Sequence, residues 1–163
     1  MASIMALGLA GTGSRAAEEE ANPAELAKAL TEARVPLEQG LKASEREGRP
    51  ISGKYEIENG APQLSVYTAK GGQFSEVIVD HTSGAISKAE KITDSDDLKE
   101  AKEQSDAMAK AKVPLDQAVT KAVKANSGYR AVSVEPALKG GQPVAEVTLM
   151  KGTDVKKVSE KLN

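Results

Sequence analysis

Arg34-Val35-Pro36-Leu37-Glu38-Gln39 returns 78 residues later as Lys112-Val113-Pro114-Leu115-Asp116-Gln117. Each copy follows an Ala/Lys/Glu-rich stretch and precedes an amphipathic run, a glycine and several short alternating segments. This period is too long for a solenoid unit and too short for a large domain. Because the flanking elements recur in the same order as the motif, the chain reads as two copies of one small α+β module.

Proline decides how each copy begins. Asn22-Pro23 supplies an N-cap and a proline at the first helical position, and Ala24 to Ala33 holds strong helix formers. Pro36 lacks an N–H and disfavours helical geometry in the residue before it, so it ends that helix and starts a second. Leu37, Gly40, Leu41 and Ser44 then fall at i, i+3, i+4 and i+7, a narrow stripe that would face a sheet. Gly48 is the expected stop.

Four strands are expected next. Ile51 to Glu58 alternates, Asn59-Gly60 is a hairpin turn that tolerates positive φ, and Gln63 to Ala69 returns. After Lys70-Gly71-Gly72, Phe74 to Asp80 carries Val77-Ile78-Val79, apolar on both faces and therefore read as central. Asp80 to Gly84 turns into a short last strand, Ala85 to Ala89. The second copy follows with a helix from Asp94 to Lys112 and a restart at Pro114. Strands are expected over Ala131 to Leu138, Val144 to Met150 and Val155 to Val158. The chain reaches Asn163 before any counterpart of the Asp80–Gly84 turn, so the second module reads as shorter. The expected division is a start segment over 1–22, one module over 23–92 and another over 93–163, each with helices on its own antiparallel sheet of three to four strands.

Composition narrows the function classes. A net charge of -2 gives no electrostatic reason for nucleic-acid binding, which needs clustered positive charge. Aromatics make up 2% of the chain, too few for a stacking platform. The absence of cysteine rules out disulfides, thiol nucleophiles and zinc-thiolate sites. Ile4 to Ala10 is a short apolar stretch and Ser14-Arg15-Ala16 a small-x-small site, the outline of an export signal cut before Ala17, although no Lys or Arg precedes the apolar run; the other reading of 1–22 is a plain disordered start. The expected location is therefore periplasmic or secreted, in a bacterial setting. No later stretch approaches the ~18 apolar residues of a membrane span.

The order of a helix starting Pro-Leu-Glu-Gln, strand, Glu58-Asn59-Gly60 turn, strand, Gly71-Gly72 turn, strand and Asp80-x-x-Ser83-Gly84 resembles the PepSY domain. That module occurs in propeptides of thermolysin-like metallopeptidases and in small exported bacterial proteins. The resemblance covers about residues 35–90 well and 113–159 less well. Ser83 stands where the family more often has threonine, and the second copy lacks the closing turn. What the resemblance implies is an α+β fold outside the cytoplasm and a binding or inhibitory role towards another protein, often a peptidase.

Few residues suggest chemistry of their own. Asp94, Asp96, Asp97 and Glu100 gather carboxylates suited to a hard cation such as calcium or a lanthanide-like ion. They lack the glycine and ligand spacing of an EF-hand, and the competing reading is a capped helix start. His81, the only histidine, sits in a polar turn and is expected to be solvent-exposed, with no nucleophile or acid beside it. Gly71-Gly72 and Gly140-Gly141 read as hairpin turns, not phosphate loops. The sequence thus points to a non-catalytic protein without a cofactor that binds a protein partner, by strand addition or through a sheet face. The alternative is a periplasmic hard-cation protein.

Overall fold

The computed structural model describes residues 21–163, so the apolar start and the Ser14-Arg15-Ala16 site lie outside the described residues. The elements run α1 (Pro23–Leu30), α2 (Leu37–Ser44), β1 (Arg49–Glu58), β2 (Ala61–Lys70), β3 (Gln73–Val79), β4 (Ile86–Lys91), α3 (Ser95–Ala109), α4 (Leu115–Ala125), β5 (Arg130–Lys139), β6 (Gln142–Lys151) and β7 (Asp154–Lys161). The local signals work as chemistry requires. The Asn22 side chain accepts from the Ala24 N–H at 2.9 Å, and Pro36 and Pro114 are the N-cap residues of α2 and α4. Asn59 and Gly60 both take positive φ, 51° and 79°, at the first hairpin.

The two copies do not build two sheets. All the strands form one seven-stranded antiparallel sheet in the order β4-β3-β2-β1-β5-β6-β7. This corrects the expectation of separate three- to four-stranded sheets, although the fold remains α+β. The joint is the pairing of β1 with β5, through Gly53 opposite Val134 and Lys54 opposite Ser133. Each of these strands is the first of its half. Each would otherwise expose a row of unpaired backbone groups, and the short antiparallel pairing covers the middle of both edges at once. The central strand is consequently β1. The Val77-Ile78-Val79 strand, expected to be central, lies one place in from the edge, covered by β4.

Two adjacent cross-strand rows show how the faces differ. Ala89, Val77, Val66, Gly53, Val134, Val147 and Val158 are opposite one another across all seven strands. The next row is Lys88, Ile78, Ser65, Lys54, Ser133, Thr148 and Lys157. Successive side chains on a strand point to opposite faces, so one face is valine-rich and the other mostly polar at the middle of the sheet. A Cβ built on Gly53 would lie 3.0 Å from Leu41 and 3.4 Å from Leu37, which puts α2 over the valine row. Leu37, Gly40, Leu41 and Ser44 are all buried, as the stripe predicts, and so are Leu115, Ala118, Val119 and Ala122 on α4. Each fully buried leucine or valine contributes roughly 1.5–3 kcal/mol.

Backbone contacts repeat between the halves. The Arg34 and Val35 N–H groups both donate to the His81 carbonyl, and those of Lys112 and Val113 both donate to the Leu162 carbonyl. A β-bulge interrupts β1 between Pro50 and Ser52, and another interrupts β5 between Ala131 and Ser133. The halves also brace each other reciprocally. Arg130, at the start of β5, donates to the carbonyls of Leu30, the last residue of α1, and of Ala33 just beyond it, at 3.1 and 3.5 Å. Arg49, at the start of β1, donates to the Ala111 carbonyl beyond α3 at 3.5 Å. Each arginine thus reaches the C-terminal end of the other half's first helix, where free carbonyls and the helix dipole favour a cation.

Candidate functional site

The polar face of the sheet carries the densest set of interacting polar side chains. In the first half, β1 contributes Lys54 and Glu56, β2 contributes Ser65 and Tyr67, and β3 contributes Glu76. Lys54 Nζ lies 3.4 Å from Glu56 Oε2, with side-chain exposures of 20% and 19%, so this ion pair is more sheltered than the surface pairs around it. Ser65 Oγ donates to Glu56 Oε1 at 3.0 Å. It accepts from Gln63 Nε2 at 3.3 Å. The Tyr67 hydroxyl donates to Glu76 Oε1 at 3.2 Å, while its ring is buried at 1% exposure. Burial pushes the Glu76 carboxyl above its usual range and Glu56 pushes the same way, against the hydrogen bond from Tyr67, the nearby Ser65 hydroxyl, whose proton goes to Glu56, and the pull of Lys54.

The second half has the same frame with different side chains. Ser133, Glu135, Glu146, Val147, Thr148 and Lys157 line a hollow of about 260 Å³. Thr148 stands between Ser133 and Lys157 as Tyr67 stands between Ser52 and Glu76. Lys139 forms an ion pair with Glu146 and holds its carboxyl below the ordinary range, with Ser159 and Lys157 acting in the same direction. The face therefore sets acceptors and donors side by side.

The acidic residues singled out in the sequence lie at and beyond the start of α3. Asp94 caps α3, its Oδ1 accepting from the N–H groups of Asp96 and Asp97 at 3.0 and 3.2 Å. Glu100 accepts from Gln104 Nε2 at 3.1 Å. Asp94 and Asp97 line a cleft of about 340 Å³ with Glu76 and Glu90, whereas Asp96 and Glu100 do not line it. Among the described residues, no three histidine, cysteine or carboxylate side chains are grouped to hold a metal ion.

His81 is half-buried rather than open to solvent as its turn composition predicts. Its carbonyl is the acceptor for the Arg34 and Val35 N–H groups, which seats the turn against the start of α2. In the same turn, Asp80 Oδ1 accepts from the Thr82 N–H, the Thr82 hydroxyl and the Ser83 N–H at 2.8, 2.7 and 2.8 Å. These bonds, that of the Thr82 hydroxyl foremost, hold the Asp80 carboxyl well below the usual carboxylate range.

Sequence reasoning missed the polar face because its residues come from strands on both sides of the β1–β5 joint. The signal available was the polar phase of alternation in β1, β2, β5 and β6, but that phase also describes an ordinary solvated sheet face. Among the described residues, no helix is long and apolar enough to cross a membrane.

No protein-family model matches the chain, and no curated protein matches it. Among solved structures, a chain from Clostridium difficile 630 described as a "putative lipoprotein" is similar to this one at 13% identity and a TM-score of 0.41, over 81% of this chain and 89% of that one.

Proposed function

We propose that this is a non-catalytic, exported bacterial binding protein of PepSY-like modules, which holds another protein against the polar face of its sheet and so restrains it. The observation that carries the reading is the part of the polar row that is half-buried to exposed, Lys54, Ser133, Thr148 and Lys157, which crosses the β1–β5 joint, whereas Ser65 in the same row is fully buried. Fusing the halves widens this face and lets one partner touch both. Docking on the face is favoured over strand addition because the edge strands carry charge. β4 reads Ile86-Ser87-Lys88-Ala89-Glu90-Lys91, and β7 places Lys156, Lys157 and Lys161 along its length. Such lysines blunt an edge against an incoming strand.

The test is site-specific photo-crosslinking in the envelope of the source cell, with and without a calcium chelator. A crosslinker at Ser133 should trap one discrete partner regardless of the chelator. The same group at Lys42, exposed on α2, should not. Trapping at Lys42 but not at Ser133 would refute docking on this face. Capture that vanishes with the chelator would refute a cation-independent binding role.

A further inference from the structure

The first half shows what a hollow in the second half lacks. Tyr67 sits on β2 between Ser52 on β1 and Glu76 on β3. Its phenol ring is buried and its hydroxyl bonds to Glu76. At the equivalent position on β6, Thr148 sits between Ser133 and Lys157. A threonine in place of a tyrosine removes a whole ring, and a hollow of about 260 Å³ opens there, lined by Ser133, Glu135, Glu146, Val147, Thr148 and Lys157. That is below the volume usual for drug-sized ligands and suits a single side chain.

We infer that this hollow receives a tyrosine side chain from the bound protein partner, seated as Tyr67 is seated in the first half. The inference rests on the proposed binding role of the polar face. A phenol matches the lining in two respects. Its ring can lie on the Thr148 methyl and the aliphatic stem of Lys157, which cover apolar surface while keeping polar ends free. Its hydroxyl both donates and accepts. The Glu146 and Glu135 carboxylates are acceptors, and the Lys157 ammonium, close enough to Glu146 to lower its pKa, is a donor. In the first half, Glu76 accepts from the phenol. In the second, Glu146 already pairs with Lys139, and a phenol hydroxyl can add one hydrogen bond to this charged set that phenylalanine cannot make.

The experiment is an NMR titration of the full chain with N-acetyl-tyrosinamide, N-acetyl-phenylalaninamide and 4-methylphenol, following the Thr148 methyl and Val147 amide signals. N-acetyl-tyrosinamide should give saturable shifts with a dissociation constant on the order of millimolar, as expected for so small a ligand. The phenylalanine analogue should bind about two- to tenfold more weakly. Thr148→Tyr, which supplies the ring in cis, should abolish the ligand-induced shifts of the Val147 amide, the signal left to follow in the variants, while keeping the rest of the native spectrum and the melting temperature. Thr148→Val, which preserves the hollow, should retain them. The inference is overturned if the wild-type chain shows no saturable shift at these signals, or if the two analogues bind equally. It is also overturned if the shifts survive Thr148→Tyr in a folded protein. Binding of 4-methylphenol alone would assign the hollow to a free phenol rather than a polypeptide tyrosine and would overturn it too. A failed titration beside successful crosslinking at Ser133 would remove the hollow and leave the docking face standing.

Discussion

The first half places Gly40 on α2 where a Cβ would come within 2.4 Å of Leu64 Cδ2. At the equivalent positions the second half has Ala118 and Ala145, both buried. Likewise Gly53, whose Cβ would lie 3.0 Å from Leu41, is matched by Val134 with Val119 on the helix. In each case a missing side chain on one element goes with a larger one on its neighbour. The two halves therefore share a backbone frame and repeat volume by pairs rather than by residue, as a close-packed interior demands. Polar contacts are less symmetrical. Tyr55 donates to the Val35 carbonyl, and burial pushes its phenol up to about 12. Pro136, at the equivalent place, has nothing to donate.

The largest expected effect tests whether the halves are one folding unit. Leu37 and Leu115 are exposed at 0% and 1%, so Leu→Ala at either should cost about 2–5 kcal/mol. Since both helices pack on one sheet, each variant should still unfold in a single denaturant transition. Two resolved transitions, with only the mutated half shifted, would show that the β1–β5 joint does not couple them.

The paired-volume argument is sharper. Gly40→Ala alone should destabilise by about 1–3 kcal/mol through overpacking against Leu64. In a Leu64→Ala background, which recreates the second half's alanine pair, the same change should instead stabilise by roughly 0.5–1 kcal/mol from helix propensity. A double-mutant cycle measures the coupling. Equal effects in both backgrounds would mean that Gly40 and Leu64 do not compete for space.

The two bracing arginines should differ. Arg130 reaches two carbonyls and lies 5.5 Å from the Tyr55 ring centroid, whereas Arg49 is exposed with one long contact. Arg130→Ala should cost about 1–2 kcal/mol, and Arg49→Ala should stay within about 0.5 kcal/mol. Urea melts that reverse this ranking would place the weight of the joint on the other side.

The smallest effect is on pH dependence. The raised Glu76 carboxyl keeps its proton to higher pH in the native chain than in the unfolded one. Its contribution is most favourable below the unfolded pKa and declines as pH climbs through the raised native value. Glu76→Gln removes that decline, so the variant should gain on its parent as pH rises above the carboxylate range. A stability difference that stays constant from acid to neutral pH would contradict this assignment. Glu146, held low in the other half, should show the opposite sign on removal, losing stability relative to its parent above the carboxylate range.

Much of the local structure was legible in the sequence because its causes are short-range. Pro23, Pro36 and Pro114 set where helices start, and the spacing of Leu37, Gly40, Leu41 and Ser44 gave the buried face correctly. Gly48 was less informative. The helix ends at Ser44 and the chain turns before β1, so Gly48 lies beyond the cap rather than at it. The apolar Val77-Ile78-Val79 run was misleading because β4 covers its outer side and reduces the exposure of Ile78, an environment that imitates a central strand. Asp94 was legible as a helix cap, since capping needs only neighbours along the chain.

What the sequence determined by itself is the repeated set of helices and hairpins, built from proline positions, turn residues and alternation that act over a few residues. What only the tertiary structure decided is that β1 and β5 meet, which turns two modules into one sheet and joins two polar patches into one face. Gly53 and Lys54 pair with Val134 and Ser133 through backbone groups that every residue carries. No side-chain pattern along the chain marks that pairing. It is settled by the shared need to close two open edges and to bury one row of valines under two helices.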